Sequence, residues 1–320
     1  MMKRAVIPAI AALMLLSSPG AFAQTSGYRM MVGVQAGAST DTIARLIAER
    51  MRITLNDTVI VENRPGAGQR VAMGELLKAP ADGRTMLLSA SALYSIVPHI
   101  YGDKTGFDPM KDATPVSRVV AFQVGVGASM QIGATNIKEF IAWAKANPDK
   151  ASYGSPGPGT SSHLTGILLS QAIGIPMAHV PYRGGAPMIA DLTAGHIPLM
   201  FTSISDYPEH AKGGKLRILA SAGPKRSPAA PDVPTLREQG IDIAFEAGFD
   251  MHVRAGAPPE MVQRLNAAIV AAVRDAGVSS KLEAMGVQPR GSSADELYQA
   301  QVAEMKFWEA PVKASGYKGE

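Results

Sequence analysis

Tyr153-Gly154-Ser155-Pro156-Gly157-Pro158-Gly159-Thr160-Ser161-Ser162-His163-Leu164 joins a short β-like segment at residues 151–153 to an apolar helical run at 164–173. Glycine lets a backbone turn sharply and approach a ligand closely. Hydroxyl residues ahead of a helix supply its N-cap. The free N–H groups and the macrodipole at a helix N-terminus attract anions. The stretch therefore reads as a strand-to-helix turn built to cradle a small negatively charged group.

Two similar turns flank it. Gln35-Ala36-Gly37-Ala38-Ser39-Thr40-Asp41 enters a helix at 39–55 with Ile43, Leu46, Ile47 and Met51 on one face, and Tyr182-Arg183-Gly184-Gly185-Ala186-Pro187 enters another. Around them, β-like runs at 28–35, 58–62, 85–90, 116–126, 151–154, 179–180, 197–201 and 216–221 alternate with helix-period segments. Asn136 with Glu139 opens one such helix in capping-box spacing. This alternation predicts α/β architecture with largely parallel sheets. In such sheets ligands sit outside the carboxyl ends of the strands, where the three turns lie. Beyond residue 231 the pattern reads as loops and then two helices, one opening at Pro258-Pro259 and one at Ser293, with Pro311 expected to end or kink the last.

The ends and the composition narrow the class. Lys3 and Arg4 precede an apolar run at 5–16, and Ala21-Phe22-Ala23 has the small-x-small form of a signal-peptidase site. Residues 1–23 thus read as a cleaved signal peptide, since the run is shorter than the roughly 20 residues of a membrane span. The expected location is the periplasm. Lys3 and Arg4 carry two of the formal +4 charges, so the remainder has no nucleic-acid signature. The chain has no cysteine, which excludes disulfides, thiol chemistry and Cys-ligated metals.

Enzyme motifs fail when tested on the glycine-rich turn. Gly154 and Gly159 have P-loop spacing, but Thr160 and Ser161 stand where lysine and its hydroxyl partner belong. Ser162 stands where a dinucleotide fingerprint needs glycine. Ser155 is one glycine out of register for a nucleophile elbow, and Pro156 removes an N–H from any oxyanion hole. The six histidines form no metal-spaced pair. A hydrolase or isomerase using Ser155 or His163 stays as a remote alternative without a companion acid. No cofactor or metal is expected.

Several segments taken in order resemble the receptors of the tripartite tricarboxylate transporter family, also called Bug proteins. They are Thr40-Asp41-Thr42-Ile43-Ala44-Arg45, Val61-Glu62-Asn63-Arg64-Pro65-Gly66-Ala67-Gly68, the stretch from Tyr153 to Leu164, His179-Val180-Pro181-Tyr182-Arg183-Gly184, Lys225-Arg226-Ser227-Pro228 and Asp232-Val233-Pro234-Thr235. The resemblance covers nearly the whole chain after the leader. It implies a two-lobed, type II-like periplasmic binding protein, a Venus flytrap with each lobe a mainly parallel sheet flanked by helices. Lobe 1 would comprise residues 24–122 and 245–320 and lobe 2 residues 123–244, with crossings near Phe122 and Phe245. The implied ligand contacts are Ala36, Gly37, Ala38, Ser39 and Asp41, then Ser91 and Tyr94, all from lobe 1. From lobe 2 come Ser155, Gly159, Thr160, Ser161, Tyr182, Gly184 and Thr202. The implied role is that of a non-enzymatic monomer that captures a small organic carboxylate and hands it to integral membrane transporter subunits. A receptor of the same fold that serves a membrane sensor is the alternative.

Departures from the family pattern bear on the ligand. Ala36-Gly37-Ala38 replaces the usual Pro-Gly-Gly, giving a bulkier floor. Phe201-Thr202 stands where the family often has Phe-Asp, whose carboxylate can hold a ligand amine, so a ligand without an amino group is expected. Asp250 and Arg254 replace small and proline residues at the second crossing. Arg254 reads as solvated rather than as a carboxylate clamp.

Overall fold

The structure, a computed structural model, describes residues 27–182 and 185–319. The signal-peptide reading falls outside these residues. The chain begins with β1 (Tyr28–Val32), α1 (Ser39–Leu55), β2 (Val59–Asn63), α2 (Arg70–Lys78) and β3 (Thr85–Ala90). Two short helices, α3 (Ala92–Ser95) and α4 (Val97–Tyr101), lead to β4 (Ala113–Phe122), which continues almost directly into β5 (Val124–Ser129). Then follow α5 (Ile137–Ala146), β6 (Ser152–Ser155), α6 (Ser161–Ile173), β7 (Ala178–Pro181) and α7 (Gly185–Ala194). After β8 (Leu199–Ser203), α8 (Pro208–Lys212) and β9 (Leu216–Ser221) come β10 (Ala247–Arg254), α9 (Pro259–Arg274), α10 (Ala276–Ala284), β11 (Gln288–Pro289) and α11 (Ala294–Ser315).

Two sheets carry the fold, ordered β11-β4-β10-β3-β1-β2 and β7-β6-β8-β5-β9. The chain passes from the first to the second between Phe122 and Val124 and returns between Ser221 and Ala247. The run at 116–126 is therefore two strands in two sheets. Parallel pairing joins β1 to β2 and β3, and β6 to β7 and β8. The sheets are nonetheless mixed rather than mainly parallel. A strand that brings the chain back between lobes lies beside the outgoing one in reverse, so β10 is antiparallel to β4 and β9 to β5. Short β11 and the β5–β8 and β10–β3 pairings are antiparallel too.

Each sheet has its own core. On α1, Ile43, Ile47, Met51 and Leu55 recur at helical spacing and are buried with Met30, Val32, Met86 and Leu88. The second core gathers Val126, Phe140, Tyr153, Leu169, Leu199 and Phe201. Gly166 is required there: a Cβ would lie 2.1 Å from the Tyr153 ring.

The region read as loops and two helices contains a further strand, a helix and a short β11. In β10, Gly248, Asp250, His252 and Arg254 alternate with apolar residues, a pattern that reads as a solvent-facing side. Tertiary partners bury Asp250 and His252 instead. Arg118 binds Asp250 at 2.8 and 3.0 Å and Glu304 at 2.7 Å. His252 lies 2.9 Å from Gln301 and stacks on Tyr94 at 3.8 Å between centroids. Arg254 donates to the Ala79 carbonyl at 2.7 Å, so it is bonded to the fold rather than free in solvent. Pro311 does not end α11, which runs on to Ser315. Trp308 and Val312 are buried on either side of the proline, and this anchoring holds the helical path despite the lost N–H.

Candidate functional site

A cleft of ≈ 330 Å³ opens where helix starts and strand ends of the two sheets face each other. On one side Ala38, Ser39 and Thr40 at the start of α1 join the turn Ala67-Gly68-Gln69 and the apolar Leu93, Val97, Ile100 and Tyr101. On the other, Pro158, Gly159, Thr160, Ser161 and Ser162 at the start of α6 meet Thr202, Ser203, Ser205 and Asp206. Phe122 and Phe249, with ring centroids 5.3 Å apart, close the floor where the chain crosses between sheets. Among the described residues no lysine, arginine or histidine lines this wall, and Asp206 is its single carboxylate.

Two helix N-termini from opposite sheets thus converge on one space. At α1 the cap is Ala38, in extended conformation and with no side-chain acceptor for the first-turn amides. Asp41 does not fill that role, because its carboxylate faces away and is fully engaged. Burial opposes its ionisation, but hydrogen bonds from Arg45, the Gly37 amide and Asn63 outweigh this and hold its carboxyl at about 2. Asp41 fixes the Gly37 turn rather than reaching the cleft. Gly37 (φ +84°) and Ala36 lie on the exposed outer side of that turn.

At α6, Thr160 is the N-cap. Its hydroxyl accepts from the His163 amide at 3.1 Å and donates to the Gly157 carbonyl at 2.8 Å, so its proton is directed into the turn. Ser161 lines the cleft, and no hydrogen bond from a described residue engages its hydroxyl. Gly159 takes φ +74°, a conformation open to glycine, and its amide donates to His163 Nδ1 at 3.1 Å. Burial, with His179 beside it at 4.1 Å between ring centroids, lowers His163 to about 4, so the ring is a neutral strut.

The remaining expected residues stand behind the wall. Ser91 is buried and accepts from the Gly248 amide, while Tyr94 is fully buried and accepts from Ser89. Tyr182 donates to Asp191 at 2.7 Å. Gly184 lies outside the described residues. Ser155 Oγ sits 2.7 Å from His179 Nε2, within reach for a nucleophile and its base. Ser155 is completely buried and does not line the cleft, which its neighbour Pro156 does.

Thr202 is held twice. Its amide donates to the Tyr207 hydroxyl at 3.0 Å and its own hydroxyl donates to Asp206 Oδ2 at 2.7 Å. Tyr207 is seated because Gly125 and Gly127 lack side chains; a Cβ on either would lie 2.4 Å from its ring.

A family model described as the tripartite tricarboxylate transporter family receptor matches residues 43–317. The chain belongs to this receptor family. A Cupriavidus necator protein from the gbd 5′ region is 32% identical over 98% of the chain and 96% of its own length. The solved periplasmic binding protein BugD is 29% identical with a TM-score of 0.80, covering 92% of this chain and 99% of that one. An R. palustris protein solved with adipate is 28% identical with a TM-score of 0.81, covering 91% and 97%. The receptor is thus a two-lobed binding protein with helices around two sheets.

Ala67–Gln69 lines the cleft but was not among the expected contacts, although Val61 to Gly68 belongs to the family resemblance. Gly66 to Gln69 all have positive φ, including the non-glycine Ala67 (45°) and Gln69 (73°), and such strain clusters at ligand clamps. The Pro65-Gly66-Ala67-Gly68 signal was visible. Asp206 and the apolar α3–α4 wall had none.

Proposed function

We propose that this receptor captures a small organic carboxylate between its lobes and delivers it to the membrane subunits of a tripartite tricarboxylate-type transporter, without chemical change. The carrying observation is the convergence of two helix N-termini, at Ser39 and Ser161, on a cleft wall without cations among the described residues. Neutral donors at helix ends hold a carboxylate, each hydrogen bond to a charged group contributing about 1.5–3 kcal/mol. Ala38, Ser39, Gly159, Thr160, Ser161 and Thr202 form the binding wall. Lobe 1 is residues 24–122 with 245–320 and lobe 2 is 123–244, closing by rotation about the crossings. The chain acts as a monomer in the periplasm after loss of residues 1–23. Asp206, bonded to the Thr202 hydroxyl, restores a carboxylate beside position 202, so the exchange there leaves an acceptor for a ligand amine or hydroxyl.

Isothermal calorimetry against aliphatic and aromatic mono-, di- and tricarboxylates tests this. One-to-one binding of at least one acid is the expected result. Silence across the whole panel would overturn the ligand class.

A further inference from the structure

Asp206 stands alone in the cleft. It is reached by solvent through the opening, yet protein surrounds it, and this surrounding raises its carboxyl above the usual range. One oxygen, Oδ2, accepts from Thr202. The neighbouring Ser203 and Ser205 hydroxyls bond each other at 2.8 Å. No described residue donates to Oδ1. Among the described residues, the ionisable side chain that favours the charged form of Asp206 is His210 on α8. Between Asp206 and the two helix starts the wall is apolar, formed by Leu93, Val97, Ile100, Phe122, Phe249 and Val287.

We propose that Asp206 is the specificity-determining residue of this cleft, accepting a hydrogen bond from a distal donor of the ligand, a hydroxyl or an ammonium, remote from its carboxylate. This rests on the carboxylate reading above. The preferred ligand is then a monocarboxylic acid with an apolar body and a distal hydroxyl or amino group. A second carboxylate would meet Asp206 with like charge and, among the described wall residues, no cation to offset it. An ammonium pairs with Asp206 by charge as well as by hydrogen bond, whereas a hydroxyl offers the hydrogen bond alone, so both distal groups suit this carboxylate.

The test compares matched acids by calorimetry on the wild-type protein and on Asp206→Ala. One set is hexanoate, 6-hydroxyhexanoate, 6-aminohexanoate and adipate. The aryl counterpart is phenylacetate, 4-hydroxyphenylacetate and 4-aminomethylphenylacetate. In at least one set the hydroxy or the amino acid is expected to bind about 10- to 100-fold tighter than the deoxy partner, the range for one hydrogen bond to a charged group. Asp206→Ala should bring the acid with the distal donor and its deoxy partner to equal affinity, read as the ratio of the two within the variant, with circular dichroism and a urea midpoint near wild type showing that the variant is folded. A preference for the hydroxy or amino acid that survives in Asp206→Ala, no such preference in the wild type, or tighter binding of adipate overturns the proposal. If no acid binds either protein, the carboxylate reading itself fails, and the assignment of Asp206 fails with it.

Discussion

At the scale of single residues, this molecule depends on polar groups whose charge state is set by burial. His163 and His252 are both held at about 4, His163 by burial and then by His179, His252 by burial above all. A neutral histidine in the fold and an ordinary one in the unfolded chain make the unfolded state bind more protons between about 4 and 6.5. Stability contributed by His163 is therefore complete above 6.5 and is lost as pH falls toward 4. Glu304 works in the opposite sense, because burial raises its carboxyl despite Arg118. A bare pH profile would mix the two, so the measurement is a difference. Urea denaturation of wild type and His163→Phe should show the wild-type advantage shrinking as pH falls from 6.5 to 4. A constant difference would mean that His163 is not buried neutral. Arg118, between Asp250 and Glu304, is a residue whose sequence neighbours gave no sign of its partners 132 and more positions away.

At the scale of elements, the start of α6 separates capping from contact. The glycine and hydroxyl pattern from Gly157 to Ser162 made the turn and the helix start legible, because N-cap chemistry is local. Which hydroxyl remains open was not legible, since Thr160 is engaged by Gly157 and His163 while Ser161 is not. Thr160→Val should thus cost about 1 kcal/mol of stability through the lost cap. Ser161→Ala should leave stability within about 0.5 kcal/mol, as a surface change does, but weaken whichever acid binds tightest in the calorimetric panel. Equal melting behaviour of the two variants would remove this distinction. The same logic explains β10: strand propensity was present, but its alternate polar residues made it look exposed, and only partners from β4 and α11 bury them.

At the scale of the whole molecule, α11 joins what the two crossings separate. Its first half puts Leu297, Gln301 and Glu304 beside the first sheet's ion and histidine cluster. Its second half puts Trp308 and Val312 into the core of the second sheet, where Trp308 meets Phe245 edge-on at 4.8 Å. Beyond it, Tyr317 packs edge-on against His163 at 4.9 Å, close behind the cleft turn. Trp308→Ala should cost about 3–5 kcal/mol, the usual range for emptying a buried aromatic site, seen as a lower urea midpoint. A cost below about 1 kcal/mol would show that α11 is not integral to the second lobe.

What the sequence determined by itself is whatever short-range chemistry dictates. The strand–helix alternation, the glycine-rich helix starts at Gly37 and Gly159, and the missing lysine and nucleophile register all follow from residues within a few positions of one another. The family match followed from the order of those segments. The tertiary structure alone decided the mixed pairing of the sheets, because strand direction depends on where the chain returns. It alone buried Asp250 and His252, because a polar residue can be interior only when a distant partner satisfies it. And it alone brought Asp206 into the cleft beside Thr202. A carboxylate after a strand end is unremarkable in sequence, and it acquires a role only from the walls that surround it.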